Sequence, residues 1–274
     1  MKGFVNWNEL WKMTRSEPKK GQPEFADMNR AKWFDEAIKG HNERTEKQLA
    51  SIQLNPEYTV LDVGAGTGRL AIPIAKKVKK VTAIEPSEAM LSCLGKNMDN
   101  EGVNNIYCIN KRWEDIEIGI DIEPHDVVIA SHSLAMLDIR RALTKIDSAA
   151  KKSAYLFTFV NNLRGIMWMD DALWNKIYGK KDQIWSDYIY LSMILHEMDI
   201  YANVNVWDSE FNQKYDHTDA VMAHWRAVYE TPPENETLLK EWLSRMLTKQ
   251  DGSIYLKGTS KSAVVWWSKE NGNE

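Results

Sequence analysis

The stretch Val60-Leu61-Asp62-Val63-Gly64-Ala65-Gly66-Thr67-Gly68-Arg69-Leu70 decides the fold of this chain. A short apolar run ends in a turn with three glycines, and an apolar helical pattern follows it. Glycine has no Cβ, so the backbone can adopt positive φ and a ligand can approach the main chain. The helix that follows offers free N–H groups and the positive end of its dipole. The stretch therefore predicts a ligand site between a strand and a helix.

Short apolar strands alternate with longer helical patterns on both sides of this turn. The predicted strands cover 58–63, 80–84, 105–109, 126–130 and 154–160, and the helices between them cover 68–78, 86–98 and 134–150. This alternation is typical of βαβ units with right-handed crossovers and a parallel sheet. In such sheets ligands bind at the carboxyl ends of the strands.

The remaining segments extend this core at both ends. Helical spacing is found over 4–15 and 27–52, with a polar connector between them at 16–24. Beyond residue 160 we predict helices over 168–179, 186–198, 217–229 and 234–247, and strands over 200–207, 211–215, 253–256 and 262–267. The predicted organisation is a helical cover (1–52), a ligand-binding core (53–160), a lid made of insertions (161–260) and a last strand with a tail (261–274).

Composition narrows the class of protein. The 274 residues are 43% hydrophobic and carry a formal net charge of −4, which argues against nucleic acid as the partner. Cys93 and Cys108 form neither a CxxC pair nor a disulfide framework. No apolar leader and no run of apolar residues long enough to span a membrane is found. These features predict a cytoplasmic protein with no membrane contact.

The spacing within the glycine turn separates two nucleotide-binding patterns. A dinucleotide fingerprint, G-x-G-x-x-G, would need glycine where Arg69 stands. The chain instead has G-x-G-x-G, with Asp62 two residues before the first glycine. Glu85 ends the next strand, where an acid can accept hydrogen bonds from both ribose hydroxyls in either class. The turn D-x-G-x-G-x-G resembles motif I of the class I S-adenosylmethionine (SAM)-dependent methyltransferases, of the type 11, 12 and 25 kind.

The resemblance implies a fold, a cofactor and a set of site residues. The fold is a Rossmann-like α/β sheet of seven strands in the order 3-2-1-4-5-7-6, mostly parallel with an antiparallel seventh strand and helices on both faces. SAM would be the cofactor and S-adenosylhomocysteine the product. The methionine part of SAM would lie among Asp62, Gly64, Ala65, Gly66 and Gly68, and the ribose against Glu85. Pro86 and Met90 would face the adenine, although core packing explains Met90 equally well.

Three further positions follow from the same resemblance. After the third strand, Trp113 and Glu114 would contact the adenine, whereas Arg112 departs from the acid that the family usually has there. Ser131 ends the fourth strand, beside the cofactor. Arg44, in the helix before the first strand, would meet the SAM carboxylate, the alternative being a helix surface that faces solvent.

The end of the fourth strand also carries the candidate for chemistry. His132 has an ordinary pKa near neutrality and is the expected general base; the alternative is a histidine that bonds the loop backbone or touches the cofactor. His217 and His224 lie two helical turns apart with no third ligand in local spacing, and His196-Glu197 is not part of an H-E-x-x-H motif. We therefore predict no metal.

The predicted lid is rich in aromatic residues, and the chain as a whole has twelve Trp and ten Tyr. Such rings can line a pocket for flat or cationic molecules or simply pack the lid. With the negative net charge, this favours a small-molecule acceptor. Two alternatives stay open at this point: methylation of tRNA, rRNA or a protein, and a SAM-binding protein without transfer activity.

Overall fold

The computed structural model describes residues 5–14, 27–39, 42–160, 171–178, 188–229 and 231–269. The predicted connector over 16–24, His41, Trp168 and Trp185 lie outside these residues. Within them, the helices are α1 (Trp7–Met13), α2 (Met28–Lys39), α3 (Asn42–Ala50), α4 (Ala71–Ala75), α5 (Glu88–Glu101), α6 (Ile139–Ala149), α7 (Asp171–Tyr178), α8 (Tyr188–Glu197), α9 (Thr218–Tyr229) and α10 (Glu236–Met246).

The strands of the described residues form a single sheet. They are β1 (Thr59–Val63), β2 (Lys80–Ile84), β3 (Ile106–Ile109), β4 (His125–Ser131), β5 (Ala150–Val160), β6 (Asn203–Tyr215), β7 (Leu247–Gln250) and β8 (Ser253–Ser268). The order is β3-β2-β1-β4-β5-β8-β6, and β7 pairs with β8 outside this path. β1 to β5 pair in parallel, and β8 runs antiparallel between β5 and β6. The Rossmann-like order predicted from the sequence is confirmed, with β8 as its seventh strand.

The first two strands are buried on both faces. β1 and β2 share the burial pattern of one half-buried residue followed by four buried ones, as expected of parallel strands covered on both sides. On one side, Ile139, Leu143 and Leu191 pack in the same apolar cluster as Trp11 of α1. On the other side the cluster contains Ile72, Ile74 and Leu94 of α4 and α5. The site is therefore carried by a sheet with helices on both faces.

Three helix predictions were too long or merged two helices into one. The helical pattern over 27–52 is two helices, α2 and α3. The helix expected over 68–78 is only Ala71–Ala75, because Gly68 keeps the preceding turn in a left-handed conformation at φ +92°. The helix expected from residue 134 begins at Ile139, where Asp138 caps it by accepting a hydrogen bond from the N–H of Arg141. The seven residues before it, 132–138, form a loop beside the ligand-binding edge of the sheet.

The two late strand pairs predicted from the sequence are in fact two long strands. β6 is continuous across Asp208 and Ser209, and β8 is continuous across Gly258 and Ser260. The polar residues at these places suggested breaks, but a backbone ladder needs no apolar side chains to continue. The far ends of the two strands leave the main sheet and pack with α7, α9 and α10. Their shared core consists of Ile177, Tyr215, Val221, Met222, Trp225, Leu239, Leu243, Ile254 and Leu256.

Candidate functional site

The glycine turn lies where β1 ends and leaves an opening at its middle glycine. Gly64 and Gly66 have φ of +76° and +58°, which L side chains rarely adopt. A Cβ on Gly64 would collide with the Ser133 side chain, whereas a Cβ on Gly66 would meet nothing within 4 Å. Gly64 is therefore needed for packing of the loop after β4. Gly66 instead presents bare backbone to open space, where a ligand can approach it.

Glu85 reaches this turn from the end of β2. Its Oε2 accepts a hydrogen bond from the backbone N–H of Gly66 at 2.9 Å, and its Oε1 accepts one from the N–H of Ser87 at 2.9 Å. Burial raises the pKa of the Glu85 carboxyl, and these two N–H groups oppose the rise. A carboxylate held in this way keeps lone pairs for ligand hydroxyl groups.

Asp62 lies on β1 just before the turn and is almost fully buried. Burial raises the pKa of its carboxyl to about 7; the charge of Arg69 opposes this rise and that of Glu85 adds to it. The carboxyl therefore titrates near neutral pH in the free protein. A cation placed beside it would favour its ionised form.

Two expected adenine contacts have their side chains in apolar cores. Met90 is 2% exposed and packs with Ala31, Ala89 and Cys93. Trp113 is 3% exposed, and its Nε1 donates to the carbonyl of Ala142 at 3.3 Å. Because the side chains of Met90 and Trp113 pack in the core, only the main chain at these two positions can contact a ligand. Arg112 and Glu114, on either side of Trp113, are exposed.

The loop after β4 holds His132 in an unusual conformation. Its φ is +56°, its N–H donates to the carbonyl of Phe157 at 2.9 Å, and its ring stacks on Phe159 with 4.1 Å between centroids. A positive φ in a residue with a side chain costs free energy, and residues strained in this way cluster at functional sites. His132, the expected general base, therefore lies at the carboxyl ends of the strands, between β4 and β5.

The Gln48 amide fixes the proton position on His132. Gln48 Oε1 accepts hydrogen bonds from Arg69 Nη2 at 2.7 Å and from Ser131 Oγ at 3.4 Å. Since arginine can only donate, the Gln48 amide nitrogen must point the other way, toward His132 Nε2 at 3.3 Å. Nε2 of His132 accepts this bond, so the neutral ring carries its proton on Nδ1.

His132 is surrounded by positive charge. The residue keeps solvent-exposed surface, and its ring is enclosed by Phe159 and the Gln48 amide. This enclosure, followed by the charges of Arg44 and Arg69, lowers the pKa of His132 well below its usual value. The imidazole is therefore neutral at pH 7.

Four residues of this cluster were not among the sequence candidates. Thr45 and Gln48 come from α3, Arg69 follows the glycine turn, and Phe159 lies near the end of β5. Arg69 Nη1 donates to Thr45 Oγ1 at 3.0 Å and Nη2 to Ser131 Oγ at 2.8 Å. The sequence offered one signal for Arg69, a cation directly after the third glycine. It offered none for the other three.

The described rings of the predicted lid are engaged mainly in packing. The rings of Trp225 and Trp242 pack edge to face with 5.4 Å between their centroids, and those of Trp174 and Tyr178 have 4.3 Å between theirs. Trp207 packs edge to face against Phe157, and its buried Nε1 has no hydrogen-bond partner. In the part of the chain that the structure describes, no group of three or more His, Cys, Asp or Glu residues could hold a metal ion. None of the helices described is long and apolar enough to cross a membrane.

Comparison with known proteins gives a family match over the core. A family model described as a methyltransferase domain matches residues 60–153. An uncharacterized protein of Haemophilus influenzae is 26% identical over 225 residues, covering 81% of this chain and 81% of the relative. The "Probable ribosomal RNA small subunit methyltransferase A" of Methanosphaera stadtmanae is 32% identical over 83 residues, which are 30% of this chain and 29% of that protein.

The fold is also found among solved structures. The YcgJ protein from Bacillus subtilis superposes with a TM-score of 0.51 at 15% identity, covering 82% of this chain and 98% of that chain. The residues matched by the family model run from β1 into β5 and include the glycine turn, Glu85 and the whole of β4. Residues 60–153 are therefore a methyltransferase domain, and the sheet order is that of the Rossmann-like class I SAM-dependent methyltransferases.

Proposed function

We propose that this enzyme methylates a small molecule bound at the ends of β4 and β5, with SAM lying across the glycine turn. The observation that carries the proposal is the open backbone at Gly66 with the Glu85 carboxylate beside it. The carboxylate suits the ribose hydroxyls, and bare backbone suits close approach of the methionine part. When bound, SAM supplies a methyl group on a positively charged sulfur, which an aligned nucleophile can accept.

The cofactor site that we propose follows the edge of the sheet from β2 to β4. Asp62, with a pKa near neutrality, would pair with the ammonium group of SAM. The methionine part would lie against Gly64, Ala65, Gly66 and Gly68, with Ser131 at its far side. Pro86, Met90, Trp113 and Glu114 would border the adenine. Since the Met90 and Trp113 side chains are in apolar cores, we expect their contacts to come from the main chain.

His132 has a more limited role in this proposal than a free general base. Its Nε2 accepts a hydrogen bond from Gln48 and its pKa is lowered, both of which weaken it as a proton acceptor. We infer that His132 lines the acceptor pocket and donates a hydrogen bond through Nδ1–H. Base catalysis by His132 remains a prediction that requires Gln48 to release Nε2.

The small-molecule acceptor is supported by the net charge of the chain and by the small part of the chain that the match to an RNA methyltransferase covers. The net charge of −4 offers no general attraction for RNA. Methylation of RNA or protein is the second candidate, because one relative is named as a ribosomal RNA methyltransferase. That match, however, covers 30% of this chain, so it says little about the acceptor side.

The test is to incubate the enzyme with methyl-labelled SAM and a cell extract separated by size. We expect label in the low-molecular-mass fraction and production of S-adenosylhomocysteine. Label that appears only in the RNA or protein fraction would overturn the small-molecule proposal. Glu85→Ala, prepared in parallel, should lose the labelling and serves as the control for contaminating enzymes.

A further inference from the structure

Two guanidinium groups, those of Arg44 and Arg69, lie near the ends of β4 and β5 without an ion-pair partner among the described residues. Arg69 donates only to neutral oxygens, those of Thr45, Gln48 and Ser131. The Nε of Arg44 is buried and has no hydrogen-bond partner. Among the described residues, neither arginine lies within ion-pair distance of a carboxylate.

This arrangement is electrostatically costly for the protein alone. Burial and, to a lesser extent, the charge of Arg44 lower the pKa of Arg69 to about 9, and the charge of Asp62 opposes this change only in part. Burial likewise lowers the pKa of Arg44 to about 10. Buried charges are normally paired, because an uncompensated charge loses its hydration without gaining a partner. An anion bound here would supply the missing partner.

The neighbouring groups add hydrogen-bond donors rather than acceptors. With its proton on Nδ1, His132 presents an N–H for which no described residue provides an acceptor. Its ring stacks on Phe159, and the guanidinium carbon of Arg44 lies 5.9 Å from the centre of that same ring. Donors from α3 and from the end of β4 therefore surround one aromatic ring at the end of β5.

The position of the two arginines along the sheet assigns them different partners. Arg69 directly follows the glycine turn and bonds Ser131, so it lies on the cofactor side. Arg44 lies over Phe159 of β5, which is two strands from β1 in the sheet order. Neighbouring strands are spaced about 4.8 Å apart, so β5 is roughly 10 Å from the turn. Arg44 is therefore on the acceptor side.

We propose that the methyl acceptor is an organic acid whose carboxylate binds Arg44 and the Nδ1–H of His132. This inference rests on the proposed function and specifies the substrate class of the same pocket. Arginine matches a carboxylate with two parallel hydrogen bonds, which fixes the orientation of the acceptor as well as its charge. The same chemistry is present in the carboxylate of SAM, the partner that the family resemblance suggested for Arg44.

The first experiment measures acid recognition in the enzyme loaded with S-adenosylhomocysteine. Benzoate is titrated against benzamide, which has nearly the same size and no charge. We expect the wild type to prefer benzoate by at least about tenfold and Arg44→Gln to lose this preference. Arg44→Lys, which keeps the charge without the bidentate geometry, should retain part of it. Arg245→Gln removes an exposed arginine of α10 and should change nothing.

The second experiment separates the two sources of carboxylate. S-adenosylhomocysteine and 5′-methylthioadenosine, which lacks the amino-acid group, are titrated against wild type and Arg44→Gln. We expect the affinity for both to change less than about threefold. A selective loss of S-adenosylhomocysteine affinity would assign Arg44 to the cofactor and overturn the proposal. Equal binding of benzoate and benzamide by the wild type would also overturn it. If S-adenosylhomocysteine fails to bind the wild type, the proposed function itself is wrong.

Discussion

The carboxylate of Glu85, at the end of β2, accepts a hydrogen bond from the backbone N–H of Gly66, at the centre of the glycine turn, across 2.9 Å. The two residues belong to neighbouring strands that pair in register, with Val63 opposite Ile84. Their contact places a buried acid beside the one part of the turn that is open to a ligand. The proposed ribose site depends on this relationship.

Glu85→Gln should weaken binding of S-adenosylhomocysteine by about 10- to 100-fold. A carboxylate can accept hydrogen bonds from both ribose hydroxyls, whereas an amide offers only one oxygen and has no charge. Hydrogen bonds to a charged group contribute about 1.5–3 kcal/mol, and the amide loses this contribution. Isothermal titration calorimetry measures the affinity. Glu88→Gln, an exposed acid three residues away, is the matched control and should bind as the wild type does. Equal affinities for the two variants would refute the ribose assignment.

Gly66→Ala should weaken S-adenosylhomocysteine binding at least about tenfold, with a loss of stability no larger than the positive φ alone explains. The new Cβ would enter open space, so the structural cost is the positive φ alone, about 1–2 kcal/mol. The free energy of unfolding and the cofactor affinity are measured on the same preparation.

Gly102→Ala is a close control for that experiment. Gly102 has φ +64°, ends α5, and also has nothing within 4 Å of its Cβ position. We expect the same loss of stability as in Gly66→Ala and unchanged cofactor binding. If both variants bind equally well, the open space at Gly66 is not the cofactor site.

Asp62→Asn should remove a pH-dependent loss of stability. The pKa of Asp62 is about 7 in the folded protein and near its ordinary value of 3.8 in the unfolded chain. Between these values the folded state holds the proton more tightly, so stability falls as pH rises, by up to about 1.4 kcal/mol per pH unit. Urea unfolding at pH 5, 6, 7 and 8 measures the difference between wild type and variant. That difference should grow to pH 7 and then level off.

Asp121→Asn is the control for this measurement. The hydrogen bond from Lys111 lowers the pKa of Asp121, so this carboxyl is already ionised over the whole range tested. Its removal should shift stability equally at all four pH values. A wild-type minus Asp62→Asn difference that stays flat with pH would show that the carboxyl of Asp62 is not perturbed by burial.

His132 should stay neutral from pH 8 down to below its usual pKa. Its surroundings lower the pKa, and the Gln48 amide selects the tautomer with the proton on Nδ1. Long-range ¹H–¹⁵N NMR spectra of the histidine rings report both properties. His217, which is exposed and lies at the start of α9, serves as the internal reference. Titration of His132 near pH 6.5 would contradict the charge environment described for the cleft.

The part of the site that the sequence predicts is the part in which neighbours in sequence are neighbours in space. Asp62 and Gly66 lie in one turn, and Glu85 ends the next strand, so spacing alone located them. The cluster around His132 is different, because Gln48, Arg69 and Phe159 come from α3, the glycine turn and β5. No periodicity links these positions, and only the folded chain brings them together. The continuous β6 and β8 were missed for a related reason, since polar residues suggested ends that the backbone pairing does not have.

The most direct test of the cofactor assignment is a calorimetric titration of the purified protein with S-adenosylhomocysteine and, separately, with NADH. Both ligands carry an adenosine whose ribose an acid such as Glu85 can bind. Only S-adenosylhomocysteine fits this turn, because the dinucleotide pattern G-x-G-x-x-G would need glycine at the position of Arg69. We expect one S-adenosylhomocysteine to bind per chain, with a dissociation constant in the micromolar range or below, and no heat from NADH. Binding of NADH without binding of S-adenosylhomocysteine would contradict the assignment.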